Sequence, residues 1–104
     1  MDAIVNEIYN NKDVKELLAA IVSLDSCDEC YKFLADALTQ REILDIAQRL
    51  KAAKMLREGS SYSAVCAETG MSTATISRVS KALDRGEGGY LLVLDRLKKE
   101  CDNA

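Results

Sequence analysis

The 104-residue chain has no proline and no histidine, and aromatic residues make up only 5% of it. With no proline, no position in the chain loses its backbone donor or clashes with the preceding helical turn. Ala, Leu, Ile, Lys, Arg and Glu dominate, so the composition predicts an all-α protein. The lack of histidine bears on the Cys27-Asp28-Glu29-Cys30 motif, because a zinc site would need a second pair of Cys or His ligands. Cys66 stands alone, and no strand–turn–helix context supports a thioredoxin-like site. Cys27 and Cys30 therefore read as helix-face residues, Cys66 and Cys101 as core or near-core thiols, and no metal is expected. No apolar run approaches the ~20 residues that span a bilayer. The opening M-D-A-I-V-N-E lacks the basic start of a signal peptide, so a cytoplasmic protein with reduced thiols is expected. The acids Asp28 and Glu29 have no nucleophile or phosphate loop beside them. The glycines at 86, 88 and 89 follow a helix rather than a strand. No catalytic constellation and no cofactor motif remain, so the chain is not expected to be an enzyme.

Net charge is −3, but it is unevenly distributed. Residues 1–40 carry three Lys/Arg and eight Asp/Glu, a net −5. Residues 41–85 carry eight and five, a net +3, and residues 86–104 carry three and four, a net −1. The positive segment is where phosphates would be met. Its excess is too small for strong non-specific DNA binding by one subunit, and a dimer would double the contacts.

That segment contains Ser61 to Leu83, S-Y-S-A-V-C-A-E-T-G-M-S-T-A-T-I-S-R-V-S-K-A-L. The spacing predicts a helix starting at Ser61 or Tyr62 and ending at Thr69, where Gly70 can adopt the left-handed conformation. Ser72 offers a fresh cap for a second helix from Thr73 to Leu83. Val65, Met71, Ile76 and Val79 fall on the inner faces, and Ala67 is small enough for close helix approach. Thr73, Thr75, Ser77, Arg78 and Lys81 remain outside as hydrogen-bond donors. This is the sequence form of a helix-turn-helix, whose second helix enters the DNA major groove.

Around it, Ile4, Val5 and Ile8 suggest a short first segment. Val14, Leu17, Leu18, Ile21 and Leu24 suggest a second, capped by Asn11 or Asp13, or the two form one kinked helix. Asp25-Ser26 leads into a helix with Tyr31, Phe33, Leu34, Ala37 and Leu38, apolar enough to need covering by neighbours. Thr39 caps a long central helix, with Glu42 completing a capping box. Ile43, Ile46, Ala47, Leu50, Ala53 and Leu56 are its expected buried stripe, and Gly59 ends it. D-R-G-E-G-G reads as a flexible connection to an apolar last helix beginning at Tyr90, with fraying from Cys101 to Ala104. Six helices, two of them over-apolar, imply a homodimer, since two recognition helices related by a dyad read a palindrome.

The block A-L-T-Q-R-E-I-L-D-I-A-Q-R-L-K-A-A-K-M-L-R-E-G, followed by A-T-I-S-R-V, resembles the tryptophan repressor superfamily, and within it the TrpR-like YerC/YecD proteins. The likeness runs from about Phe33 to Leu97. It implies a six-helix, all-α helix-turn-helix domain in an intertwined homodimer. One domain would span 1–104, with dimerisation helices in 1–38, the central helix and helix-turn-helix in 39–83, and a C-terminal dimerisation helix in 87–104. By position, Thr73, Ala74 and Ser77 would lie near base edges. Gln48, Arg49, Ser72, Thr75, Arg78 and Lys81 would lie nearer phosphates. Such short side chains at the helix tip cannot make long bidentate base contacts, so readout through water and DNA shape is implied.

In the tryptophan-binding members, the resemblance implies an indole held between two arginines over a glycine. Arg49 and Arg78 match the arginines, and Thr39 matches the threonine at the pocket mouth. Val79 stands where the glycine would be, and Ala82 replaces a serine that would meet the ligand's amino group. The valine occupies volume the ring needs, so tryptophan is not expected as a corepressor and any effector is unspecified. The leading expectation is a dimeric, sequence-specific regulator of transcription acting on a palindromic double-stranded DNA operator, a repressor by family habit. The rivals are a repressor gated by another small molecule and a protein-interaction module that has lost DNA binding.

Overall fold

A computed structural model describes residues 3–103, with side chains described from 7 to 98. Among the described residues there are seven helices and no strand: α1 Ala3–Asn10, α2 Lys12–Val22, α3 Cys27–Ala37, α4 Gln40–Arg57, α5 Tyr62–Thr69, α6 Thr73–Arg85 and α7 Gly89–Asn103. The all-α expectation holds, with seven helices in place of six. The additional break lies at Asn11, which is extended (φ −62°, ψ 132°). Its side-chain carbonyl accepts from the backbone N–H groups of Asp13 (2.9 Å) and Val14 (3.1 Å). The competition of this short polar side chain with helical bonding starts a new helix at Lys12 and so excludes one kinked rod.

The chain divides into two compact units, Met1–Gln40 and Arg41–Ala104. In the first, Ser26 caps α3 by accepting from the Glu29 N–H at 3.1 Å, and the Glu29 carboxylate accepts from the Asp25 N–H at 2.8 Å. Neither α2 nor α3 buries a residue fully. Leu17, Leu18 and Ile21 are 40–47% exposed and Tyr31 is 62% exposed, so the covering expected for α3 is not supplied within the first unit. Cys27 and Cys30 are both free and exposed, in keeping with helix-face residues. The side chains of Ile4 and Val5 lie outside the described residues.

The second unit holds the buried core, formed by Ala52, Ala53, Val65, Ile76, Val79 and Leu94. Leu50, Met55, Leu56, Cys66, Met71, Leu83 and Tyr90 pack against it. The stripe expected on α4 is only partly right. Ala53 is buried and Ile43, Leu50 and Leu56 are half-buried, but Ile46 is 52% exposed and Ala47 is exposed. Ala52, absent from that stripe, is fully buried. The core takes residues of α4 only from Leu50 onward, so the pattern before it is left open. Ala67 is exposed as well. The small residues in the core are instead Ala52 and Ala53, whose single methyl groups let neighbouring backbones come near.

The connection after α6 is shorter than expected, only residues 86–88. The Gly86 N–H donates to the Ala82 carbonyl at 3.0 Å, and a Cβ at Gly86 would lie 2.3 Å from that oxygen. The chain can turn this tightly only without a side chain there. Helix α7 runs from Gly89 through Asn103. Ala104 and the Cys101 side chain lie outside the described residues.

Ile76 is one of the two largest fully buried side chains. Truncating it removes transfer free energy and leaves a cavity. Ile76→Ala is expected to lower unfolding free energy by about 2–5 kcal/mol. Urea titration followed by circular dichroism measures this, and a loss below about 1 kcal/mol would contradict the burial.

Candidate nucleic-acid interface

The helix-turn-helix is assembled by local bonds that its own sequence supplies. Ser61 Oγ accepts from the Ala64 N–H at 3.1 Å and starts α5. Gly70, at φ 73° and ψ 6°, ends it and donates its N–H to the Cys66 carbonyl at 2.9 Å. Ser72 is extended (φ −69°, ψ 156°), and its Oγ accepts from the Thr75 N–H at 3.2 Å to start α6. The Ser72 and Thr75 hydroxyls also lie 3.0 Å apart. These caps agree with the sequence reading of Ser61, Gly70 and Ser72.

One participant was not legible in advance. Thr69 is 9% exposed. Its hydroxyl donates to the Val65 carbonyl at 2.7 Å and accepts from the Met71 N–H at 3.2 Å. It thus bonds the last turn of α5 to the connecting turn. A threonine before a glycine is a weak signal on its own, since many such residues face solvent.

The turn delivers α6 with a fixed rotation. Val65 and Ile76 are fully buried, Val79 is 3% exposed and Met71 is half-buried, as the inner-face pattern requires. On the other side Thr73, Ala74, Arg78 and Lys81 are exposed, with Thr75 and Ser77 half-buried. Ala74, Arg78 and Lys81 follow the i, i+4, i+7 spacing of one helical stripe, and Arg85 continues it at i+11.

Helix α4 contributes a second group of residues. An open depression of about 210 Å³ is lined by Arg41, Asp45, Gln48 and Arg49 of α4, with Gly70, Met71 and Thr75 of the turn and α6. It brings together three expected contact residues, Gln48, Arg49 and Thr75. Ser77, Arg78 and Lys81 are not among its walls. The residues matched to a ligand pocket do not share this depression either. Arg49 lines it, Val79 belongs to the hydrophobic core, and Ala82 is half-buried on α6. Thr39 belongs to the first unit.

Ion pairs decide which cations remain available. Arg41 Nε lies 3.3 Å from Asp45 Oδ1, Lys51 Nζ 3.0 Å from Glu68 Oε1, and Arg57 Nη1 2.7 Å from Asp95 Oδ1. The last two tie α4 to α5 and α7. All are partly solvated, so each contributes little stability but still neutralises its arginine or lysine. Among the described residues of 41–85, Arg49, Lys54, Arg78, Lys81 and Arg85 are in no ion pair.

A capped, glycine-closed turn that seats one helix face in the core and presents the other outward defines a helix-turn-helix protein. The family model for the Trp repressor protein matches residues 12–98. The uncharacterized protein YerC of Bacillus subtilis (strain 168) is 48% identical over 88 residues, 85% of each chain. Two solved structures superpose with TM-scores of 0.83. One is a TrpR-like protein from Eubacterium eligens ATCC 27750, 46% identical over 86% of this chain and 93% of that one. The other, from Staphylococcus aureus, is described as a candidate Trp repressor and is 41% identical over 88% of this chain and 92% of that one. The chain belongs to the Trp repressor family, a family of DNA-binding regulators. No described helix is long and apolar enough to cross a membrane.

Replacing Thr69 by valine keeps the shape and removes both hydroxyl bonds. Thr69→Val is expected to destabilise the fold by about 1–3 kcal/mol, because the partly buried Met71 N–H loses its acceptor. Equilibrium unfolding of both proteins tests this. Equal midpoints would show that the hydroxyl does not brace the turn.

Proposed function

We propose that the chain is a sequence-specific, DNA-binding regulator of transcription, a repressor, that acts as a homodimer on a palindromic operator. The observation that carries this reading is the division of α6 into a face seated in the core by Ile76 and Val79 and an exposed face bearing Thr73, Ala74, Arg78 and Lys81. The N-terminal part of α6 enters the major groove, with Thr73, Ala74 and Ser77 nearest the base edges. Gln48, Arg49, Ser72, Thr75, Arg78 and Lys81 meet the phosphates. Short side chains at the tip favour water-mediated and shape-dependent recognition over bidentate base contacts. Homodimer formation is supported by the apolar stripes of α2 and α3, which the first unit leaves open. Two recognition helices then read half-sites about one DNA turn, ~34 Å, apart.

Selection of bound fragments from a random DNA pool is expected to yield a palindromic consensus. In the same assay, Arg78→Ala is expected to weaken binding to the selected duplex across sequence variants and to reduce its salt dependence. Binding that is unchanged by the substitution and insensitive to salt would support an interaction module in place of a DNA reader.

Tryptophan is not needed in this reading. Val79 fills the position that must be empty for the indole, and Ala82 offers no hydroxyl to the ligand's amino group. Titration calorimetry is expected to show no saturable heat with tryptophan, and micromolar binding would overturn the steric argument.

A further inference from the structure

We infer that Arg85, at the C-terminal end of α6, is a further DNA-backbone contact that extends the basic edge formed by Arg78 and Lys81. The inference rests on the DNA-binding reading and adds one residue to it.

Residues 41–85 carry eight arginines and lysines, but position and pairing make them unequal. Arg41, Lys51 and Arg57 are each neutralised by an acid. Lys54 borders a separate depression against α7, beside Glu58 and Asp95. Arg49 lies by the turn. Three unpaired cations therefore share one exposed stripe of α6: Arg78, Lys81 and Arg85. Their spacing, i, i+3 and i+7, puts them in a row about 10 Å long at 1.5 Å per residue.

The neighbouring acid does not cancel this row. Asp84 forms no ion pair with Lys81 or Arg85 and instead lines a depression with Ser80, Leu83 and Leu91. The buried Ile76 and Val79 fix the helix rotation that keeps Arg85 outside. A helix that enters the groove by its N-terminal part carries its later turns out toward the backbone, where a long flexible cation can reach a phosphate. A cation in the last turn also suits the helix dipole, and that role alone would leave DNA affinity unaffected.

The test measures binding of the full chain to the labelled palindromic duplex recovered by selection from the random pool, over a range of salt concentrations. Each lost phosphate contact lowers the slope of log affinity against log salt by about 0.9. Between about 50 and about 200 mM salt, Arg85→Gln should therefore lose affinity about 3.5-fold less steeply per contact than the parent chain. Arg85→Lys should retain the parent slope. Arg96→Gln, which removes an exposed cation of α7 and changes net charge equally, should leave the slope nearly unchanged. An unchanged slope for Arg85→Gln, or equal losses for the Arg85 and Arg96 variants, would overturn the inference while leaving DNA binding intact. If the parent chain shows no salt-dependent binding at all, the DNA-binding reading falls and the inference with it. Circular dichroism of each variant checks that the helix content is that of the parent chain.

Discussion

The burial of Ile76 and Val79 against Val65 and the two α4 alanines is the contact on which the rest of the candidate interface depends. A helix has no intrinsic preference for which side faces solvent; the side that loses water decides. Once those two side chains are inside, the outward positions of Thr73, Ala74, Arg78, Lys81 and Arg85 follow from 3.6-residue periodicity. No polar bond could fix that rotation as firmly. Surface pairs such as Lys51–Glu68 contribute a few tenths of a kcal/mol, whereas a fully buried aliphatic side chain contributes about 1.5–3 kcal/mol. The caps at Ser61 and Ser72 have a different part: they set where the helices begin, and hence how long the turn is.

Charge follows the same division. A chain with net −3 is a poor candidate for nucleic acid if charge is only counted. The ion pairs of α4 remove Arg41, Lys51 and Arg57 as free cations, which leaves α6 as the helix where unpaired positive groups line up. The paired and the unpaired cations are thus different residues, so the frame of the second unit and its exposed edge can vary separately.

Much of this was legible in the sequence because it is local. Ser61, Gly70 and Ser72 act on groups within four residues of themselves, and the inner-face residues Val65, Ile76 and Val79 repeat at helical spacing. What required the structure depends on partners distant in sequence. The apolar pattern of α4 runs evenly from Ile43 to Leu56, and nothing in it tells that the core uses only the part from Leu50 onward. The burial of Ala52 was hidden for the same reason. Thr69 has an ambiguous side chain that becomes a brace only because the turn leaves the Met71 N–H beside it. The break at Asn11 was visible as a capping residue, but its competition with a continuous helix turned on the bonds to Asp13 and Val14.

Val79 joins the fold to the question of regulation. A residue that is 3% exposed and packed with Ile76 and Leu94 contributes to the seat of α6 in the chain alone, with no ligand present. A glycine there would contribute no such side chain and would be the weaker helix former by roughly 0.3 kcal/mol. A bound ring could then supply packing that the protein lacked, which is a physical basis for ligand-dependent positioning. With valine the packing is covalently built in, and a ligand at that point has little left to supply. A ligand can shift a conformational equilibrium only by its difference in affinity for the two states, so under the proposed function a site filled from within would offer tryptophan no means of control. The side chain that fixes the recognition helix is therefore also the one that argues against tryptophan as its switch.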